Sequence, residues 1–96
     1  MSTHRLYKHE GVNSRSVRVR LEADEFIVDT QDVGPASEEW WGDTDYEFQT
    51  SVPRDAWGAL LLALAREFLA DDARATDRLR DVCKKYDVPH EWTSWR

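Results

Sequence analysis

The hydrophobic pattern of the chain changes its period at Pro53, and this change constrains the fold more than any other feature. Before Pro53, residues 16–23 (SVRVRLEA) and 45–52 (DYEFQTSV) alternate apolar and polar side chains, which is typical of half-buried strands. After Pro53, residues 54–70 carry apolar side chains at helical spacing. Proline cannot donate to a strand ladder but fits the first turn of a helix. The sequence therefore predicts a strand-rich first part and a helical second part.

The same patterns predict where each element lies. We expect strands near 16–22, 25–31 and 45–52, helices near 54–70 and 73–86, and a last strand near 91–95. A small sheet needs a cover for its apolar face, and a helical hairpin is the available cover. We therefore predict an α+β fold: a two-layer sandwich in which a small, mostly antiparallel sheet is covered on one face by a helical hairpin, in the order β-β-β-α-α-β.

The length of the chain bounds its domain organisation. A chain of 96 residues makes one domain with a modest core. Residues 1–14 mix charged residues, histidine and glycine without periodicity, so we predict a flexible N-terminal tail there and a single α+β domain over 15–96. Leu61 and Leu64 lie on the apolar side of the first helix, and we expect both to be fully buried.

Charge is distributed unevenly along the sequence. The net charge is −6, but residues 21–53, which we call the acidic block, hold ten Asp and Glu and no Lys or Arg. Phosphate binding needs clustered cations, so this block argues against nucleic acid as a direct ligand. It favours a basic partner, a bound cation or simple solubility.

Other counts indicate the compartment. The sequence has no apolar run of about 18 residues that could span a membrane. Its first twenty residues lack the apolar region of a secretory signal, and its one cysteine, Cys83, cannot form an internal disulfide. We therefore expect a cytoplasmic protein that does not bind membranes.

Two adjacent tryptophans stand in the most acidic stretch, EEWWGDTDYEF at residues 38–48. Neighbours on an extended chain point to opposite sides, so one ring can enter the core while the other faces outward. The alternative is that both rings pack inside. An outward ring rimmed by charge has the anatomy of a binding hot spot, and the acids would steer a basic partner toward it. The predicted partner-binding site consists of Glu38, Glu39, Trp40, Trp41, Asp43 and Asp45.

No arrangement of residues predicts catalysis, a metal or a cofactor. The spacing Asp43-x-Asp45-x-Glu47 opens a calcium loop, but the sixth and twelfth positions hold Phe48 and Arg54 instead of glycine and a carboxylate. His90 beside Glu91 offers a dyad, but Cys83 lies on the apolar side of a helix and is more typical of a structural thiol. We therefore assign no catalytic residue, no metal ligand and no cofactor.

Short segments of the chain resemble a group of small bacterial proteins. The similar segments are QDVG at 31–34, WWGDTDYEF at 40–48, LLLAL at 60–64 and VPHEWTSW at 88–95. Members of that group share a strand-rich acidic half, a leucine-rich helix and a C-terminal Pro-x-x-aromatic ending. The resemblance implies a two-layer fold and a bacterial source, and it carries over no catalytic residue. In size and acidity, the chain is also similar to immunity proteins that neutralise toxins.

These observations favour a non-catalytic protein-binding module with a basic partner. Its most concrete form is an immunity or antitoxin-type protein that blocks a nuclease, because a nuclease site must be basic and an acidic patch can occupy it. One alternative is a small enzyme that uses carboxylates or a bound divalent cation. Another is a homodimeric structural subunit in which the outward tryptophan is buried against a second copy.

Overall fold

The structure is a computed structural model that describes residues 2–36, 39, 42 and 45–94. The chain divides into two compact units, Met1–Leu60 and Leu61–Arg96. The first unit contains an antiparallel sheet, and helices follow it in the sequence, so the fold belongs to the α+β class as predicted. Whether residues 15–96 form a single domain stays a prediction.

The sheet of the first unit consists of consecutive antiparallel strands. They are β1 (Ser2–His9), β2 (Ser14–Leu21), β3 (Glu25–Val33) and β4 (Asp45–Pro53), and they lie in the order β1-β2-β3-β4. The three strands that the alternating pattern predicted are confirmed as β2, β3 and β4, with ends that differ by no more than two residues. The position of β1 at the edge of the sheet is new.

Strand β1 corrects the prediction of a flexible tail over residues 1–14. Residues 2–9 pair with β2 from Ser2 opposite Leu21 to His9 opposite Arg15. All eight side chains of β1 are exposed, so the strand is held by its backbone ladder and needs no apolar alternation. The register shifts between Arg5 and Tyr7, and such an irregularity blunts a sheet edge against further pairing.

The strand register sorts the side chains onto two different faces. One face, which we call the apolar face, carries Tyr7, Val17, Val19, Leu21, Phe26, Val28, Phe48 and Val52. The opposite, polar face carries Arg18, Arg20, Asp29 and Gln49. Among the apolar residues that the structure describes, only Ile27 is buried, with 4% of its surface exposed, and the register places it on the polar face, opposite Arg20. Leu21 and Phe48 of the apolar face each remain 43% exposed.

Pro53 ends the sheet and starts the helical region, as the sequence predicts. It is followed by a 3-10 turn (Arg54–Ala56) and helix α1 (Trp57–Leu69). The indole Nε1 of Trp57 donates to the Val52 carbonyl at 3.0 Å, and the Arg54 amide donates to the Asp24 carbonyl at 2.8 Å. These two hydrogen bonds fix the start of the helical region against the end of β4 and the β2–β3 turn.

The second unit contains the end of α1 and helix α2 (Ala75–Lys85), so both predicted helices are confirmed within about 2–4 residues. Asp71, with a φ of 57°, lies two residues beyond Leu69, the last residue of α1, in the left-handed conformation that often ends helices. Asp72 then accepts the Arg74 amide at 2.9 Å and the Arg78 guanidinium at 2.5 Å. None of the helices in the described ranges is long and apolar enough to cross a membrane.

Two expectations for the helical region are wrong. Residues 91–94 do not form a strand; Trp95, the last residue of that predicted strand, lies outside the described residues. Tryptophan and threonine favour strands, but a strand forms only where its backbone groups also pair. Trp92 instead contacts Arg80, whose guanidinium carbon lies 4.8 Å from the ring centre.

The leucines expected in the core are exposed instead, by 67% at Leu61 and 41% at Leu64. A helical stripe is buried only where another element packs on it. In the part of the chain that the structure describes, α1 and α2 do not pack along each other, so neither helix covers the stripe of the other.

Candidate functional site

The predicted partner-binding site lies mostly outside the described residues. This applies to Glu38, Trp40, Trp41 and Asp43. Glu39 is exposed and helical, and Asp45 is the exposed first residue of β4. The assignment of these six residues to a binding site therefore stays a prediction, and only two of them can be placed.

Asp45 is held at the start of β4 by the neighbouring strand. It lies opposite Val33 in the β3–β4 register, and the amide Nε2 of Gln31 donates to its Oδ1 at 3.1 Å. Glu47, two residues along the strand, is on the same face and is also exposed. The described part of the site thus presents two carboxylates in a row along β4, which is an edge strand of the sheet.

A tight backbone contact determines where the chain leaves β3 toward this segment. Gly34 has a φ of +131°, a conformation that side chains rarely permit. A Cβ at this position would lie 2.8 Å from the Asn13 side-chain oxygen and 2.9 Å from the Asn13 Cα. The same Asn13 oxygen accepts the Ala36 amide at 2.8 Å. The turn between β1 and β2 therefore anchors the start of the segment that carries the predicted site.

Arginines of β2 neutralise part of the acidic block, which the sequence interpretation treated as uncompensated. Asp29 accepts Nε of Arg18 at 2.8 Å and Nε of Arg20 at 2.8 Å, and Arg20 also binds Glu22 at 2.8 Å. Asp32 accepts two hydrogen bonds from Arg15, at 2.6 and 2.7 Å. The block is continuous in the sequence, but within the described residues the arginines of β2 pair with three of its acids, Glu22, Asp29 and Asp32.

The sequence contained a signal for these pairs. In a hairpin with a short turn, the numbers of directly opposed residues have a constant sum. The β2–β3 register opposes Arg15 to Asp32 and Arg18 to Asp29, which share that sum. If the predicted strands over 16–22 and 25–31 are joined by residues 23–24, the same sum places Arg18 opposite Asp29, so this cross-strand charge pair could be predicted from the sequence.

The Arg15–Asp32 pair lies on the apolar face, on the other side of the sheet from Arg18 and Asp29, and the ionisation of both its groups is perturbed. Hydrogen bonding from the Arg15 guanidinium lowers the pKa of the Asp32 carboxyl, and the carboxylate in turn raises the pKa of Arg15. Both groups are therefore held in their charged forms. Such a pair is a fixed element of the sheet and not a proton donor or acceptor suited to chemistry near neutral pH.

The remaining net charge belongs entirely to one unit. Residues 61–96 hold seven Lys and Arg and seven Asp and Glu, so their net charge is zero. The whole net charge of −6 therefore lies in residues 1–60. This unit also contains the exposed carboxylates of Glu39, Asp45 and Glu47. An electrostatically attracted basic partner would be drawn to the sheet unit and not to the helical unit.

Among the residues described, no group of three His, Cys, Asp or Glu side chains is close enough to hold a metal ion. Cys83 is half-buried on α2, and Nδ1 of His90 lies 2.8 Å from the carbonyl oxygen of Val88. Asp43, the first residue of the failed calcium-loop spacing, lies outside the described ranges.

Comparison with known proteins returned no match: no protein family, no curated protein sequence and no solved structure is similar to this chain. The resemblance to a group of small bacterial proteins therefore stays a prediction.

Proposed function

We propose that this chain is a non-catalytic acidic protein-binding module whose partner is a basic protein. The observation that carries the proposal is the position of the exposed acids. Arginines of β2 pair with the acids in the middle of the sheet, whereas Glu39 and Glu47 are exposed near the predicted binding segment at residues 38–45. Residues 38–47 thus hold five Asp and Glu and no Lys or Arg.

The most concrete form of the proposal is an immunity or antitoxin-type protein. A nuclease holds phosphate with clustered Lys and Arg, so its active site attracts a surface rich in carboxylates. Complementary charge raises the association rate and suppresses wrong partners. A tryptophan among those carboxylates would add the apolar contact that slows dissociation, which makes Trp40 and Trp41 the proposed anchors.

A panel of purified basic nuclease domains provides the test. We expect the wild-type chain to bind one of them, with an association rate that falls as ionic strength rises. Replacing Glu39 and Glu47 with lysine should slow association and flatten its salt dependence, with an unchanged circular dichroism spectrum. The matched control replaces Asp77 and Asp81 with lysine. Both acids belong to the helical unit, which has no net charge, so this variant should leave the association rate unchanged. Equal slowing by both double variants, or no binding to any domain, would contradict the proposal.

Alanine substitutions separate the roles of the two tryptophans. The variant that removes the outward ring should speed dissociation and cost about 2 kcal/mol or more of affinity. The variant that removes the inward ring should lower the melting temperature instead. If neither Trp40→Ala nor Trp41→Ala changes the dissociation rate, the predicted binding segment contains no anchor.

A further inference from the structure

Strand β4 forms one edge of the sheet and is paired on one side only. It lies at the end of the order β1-β2-β3-β4 and pairs with β3 from Asp45 opposite Val33 to Pro53 opposite Glu25. The free side of an edge strand presents a row of backbone N–H and C=O groups, and another extended segment can pair with them. The residues of β4 that present these groups can be identified from the hydrogen bonds of the sheet.

Two hydrogen bonds beside the β2–β3 turn determine which way each residue of β4 points its backbone groups. The Arg54 amide donates to the Asp24 carbonyl at 2.8 Å, one step beyond the last pair of the β3–β4 register, and the Glu22 amide donates to the Glu25 carbonyl at 2.9 Å on the other side of β3. Bonded and non-bonded pairs alternate along an antiparallel ladder. Even-numbered residues of β4 therefore bond to β3, and odd-numbered residues point their N–H and C=O groups away from it. The outward-pointing residues in the middle of β4 are Glu47, Gln49 and Ser51.

These outward backbone groups have no backbone partner within the described part of the chain. Outside the β3–β4 ladder, no backbone hydrogen bond joins Glu47, Gln49 or Ser51 to another described residue. All three residues are exposed. An α-helix bonds its own N–H and C=O groups internally, so only an extended segment can continue this ladder.

The two edges of the sheet differ in their protection against pairing. Strand β1 has a register shift between Arg5 and Tyr7 and carries Lys8, and natural sheets use both devices to block their edges. Strand β4 has no register shift, no Lys or Arg, and no proline before its last residue. Its carboxylates, at Asp45 and Glu47, oppose pairing with an acidic strand but favour pairing with a basic one.

The side chains of β4 define the segment that fits this edge. Directly opposed residues of two paired strands have their side chains on the same face of the sheet. On the polar face, Glu47 and Asp45 would select Lys or Arg, and on the apolar face the exposed ring of Phe48, 5.8 Å from the ring of Tyr46, would select an apolar residue. A second copy of the sheet unit would instead bring a charge of −6 against −6.

We propose that β4 binds an extended segment of a basic partner, in which Lys or Arg alternates with apolar residues, by adding that segment to the sheet as a new edge strand. Backbone hydrogen bonds to Glu47, Gln49 and Ser51 hold the segment, and the alternating side chains of β4 select its sequence. The inference rests on the proposed function for the basic character of the partner and adds the way in which the partner binds.

Amide hydrogen exchange of the full chain, followed by NMR at each residue, tests the proposal. The probe is a synthetic peptide that alternates lysine and valine over the length of β4, and the control peptide has the same composition with its lysines and valines in two separate blocks. The alternating peptide should bind and slow the exchange of the Glu47, Gln49 and Ser51 amides, which point outward, while the Phe48 and Thr50 amides are already protected by β3. Absence of binding, an unchanged exchange rate at the outward amides, or equal protection by the control peptide would overturn the proposal.

A proline at an outward position provides a matched pair of variants. Gln49→Pro removes an N–H group that points away from β3, so the β3–β4 ladder keeps its hydrogen bonds and the circular dichroism spectrum should not change. Its affinity for the alternating peptide should fall by about tenfold or more. Gln49→Ala keeps the N–H group and should bind as the wild type does. Equal affinity of Gln49→Pro and Gln49→Ala would overturn the proposal, and the exchange pattern of the wild type decides it independently if the proline variant unfolds.

Binding of the same variants to the basic nuclease domains separates this proposal from the proposed function. A domain that binds the wild type and Gln49→Pro equally well would support the proposed function and overturn strand addition at β4. A chain that protects its outward amides with the alternating peptide but binds none of the domains would support strand addition and contradict the nuclease-blocking function.

Discussion

Asp29 holds the polar face of the sheet together, and replacing it with alanine is the sharpest test of the fold. Its side chain is only 12% exposed, and it accepts two hydrogen bonds from Arg18, at 2.8 and 3.1 Å, and one from Arg20, at 2.8 Å. Asp29→Ala removes the shared anion and leaves two guanidinium groups on adjacent positions of the same face of β2. The variant therefore loses attraction and gains repulsion at once.

Solvent access sets the size of the effect. Removing one partner of a fully buried ion pair costs about 3–5 kcal/mol, and an exposed pair is worth about 0–1 kcal/mol. Arg18 is 52% exposed and can turn toward water, and Arg20 keeps its contact with Glu22. We therefore expect Asp29→Ala to lower the free energy of unfolding by about 2 kcal/mol, within the range for hydrogen bonds to charged groups.

Urea unfolding at a fixed protein concentration measures this loss. The concentration must be fixed because self-association would add its own contribution to stability. A double-mutant cycle with Arg18→Ala then isolates the pairwise part of the loss. A change below about 0.5 kcal/mol, the usual range for neutral surface substitutions, would refute the reasoning, because the network would then contribute nothing beyond solvation.

Two further predictions follow from the sheet and its turns. Arg15 holds the pKa of Asp32 below its ordinary value of 3.8. Their pairing therefore stabilises the fold above pH 3.8, and this stabilisation is lost as the pH falls through the lowered pKa of the folded state. When urea midpoints are measured at decreasing pH, the midpoint of Asp32→Asn should decline less than that of the wild type. Gly34→Ala should strongly lower the melting temperature because its Cβ would approach Asn13 to within 2.8 Å, whereas Gly58→Ala, with no atom within 4 Å, should raise stability by up to about 1 kcal/mol.

Periodic segments of the sequence predicted most of the fold, since burial on one face imposes a period on the residues. Strands β2, β3 and β4 and both helices follow that rule, and Pro53 marked the boundary between the two regions. Strand β1 obeys no such rule, because an exposed edge strand is selected for backbone pairing alone. The segment at 91–95 shows the converse, since it is rich in residues that favour strands but residues 91–94 form none.

The composition of the candidate site could be predicted by counting charges along the sequence, but its electrostatics also require the strand register. Counting charges along the sequence located the acids of the predicted binding segment, because those residues are close neighbours in the chain. The pairs that Arg15 and Arg18 form with Asp32 and Asp29 join residues 17 and 11 positions apart, so they depend on the strand register. A one-residue slip of that register would move every arginine to the other face.

The exposure of Leu61 and Leu64 has a different origin from the other departures. The helical pattern correctly predicted an apolar stripe on α1, but such a stripe does not identify the element or molecule that covers it. In this chain, the apolar stripes belong to residues without net charge, and all of the net charge belongs to residues 1–60. Salt weakens long-range attraction between charges but not the burial of apolar area. A rise in ionic strength should therefore weaken the proposed binding of a basic partner and leave any burial of these stripes unchanged.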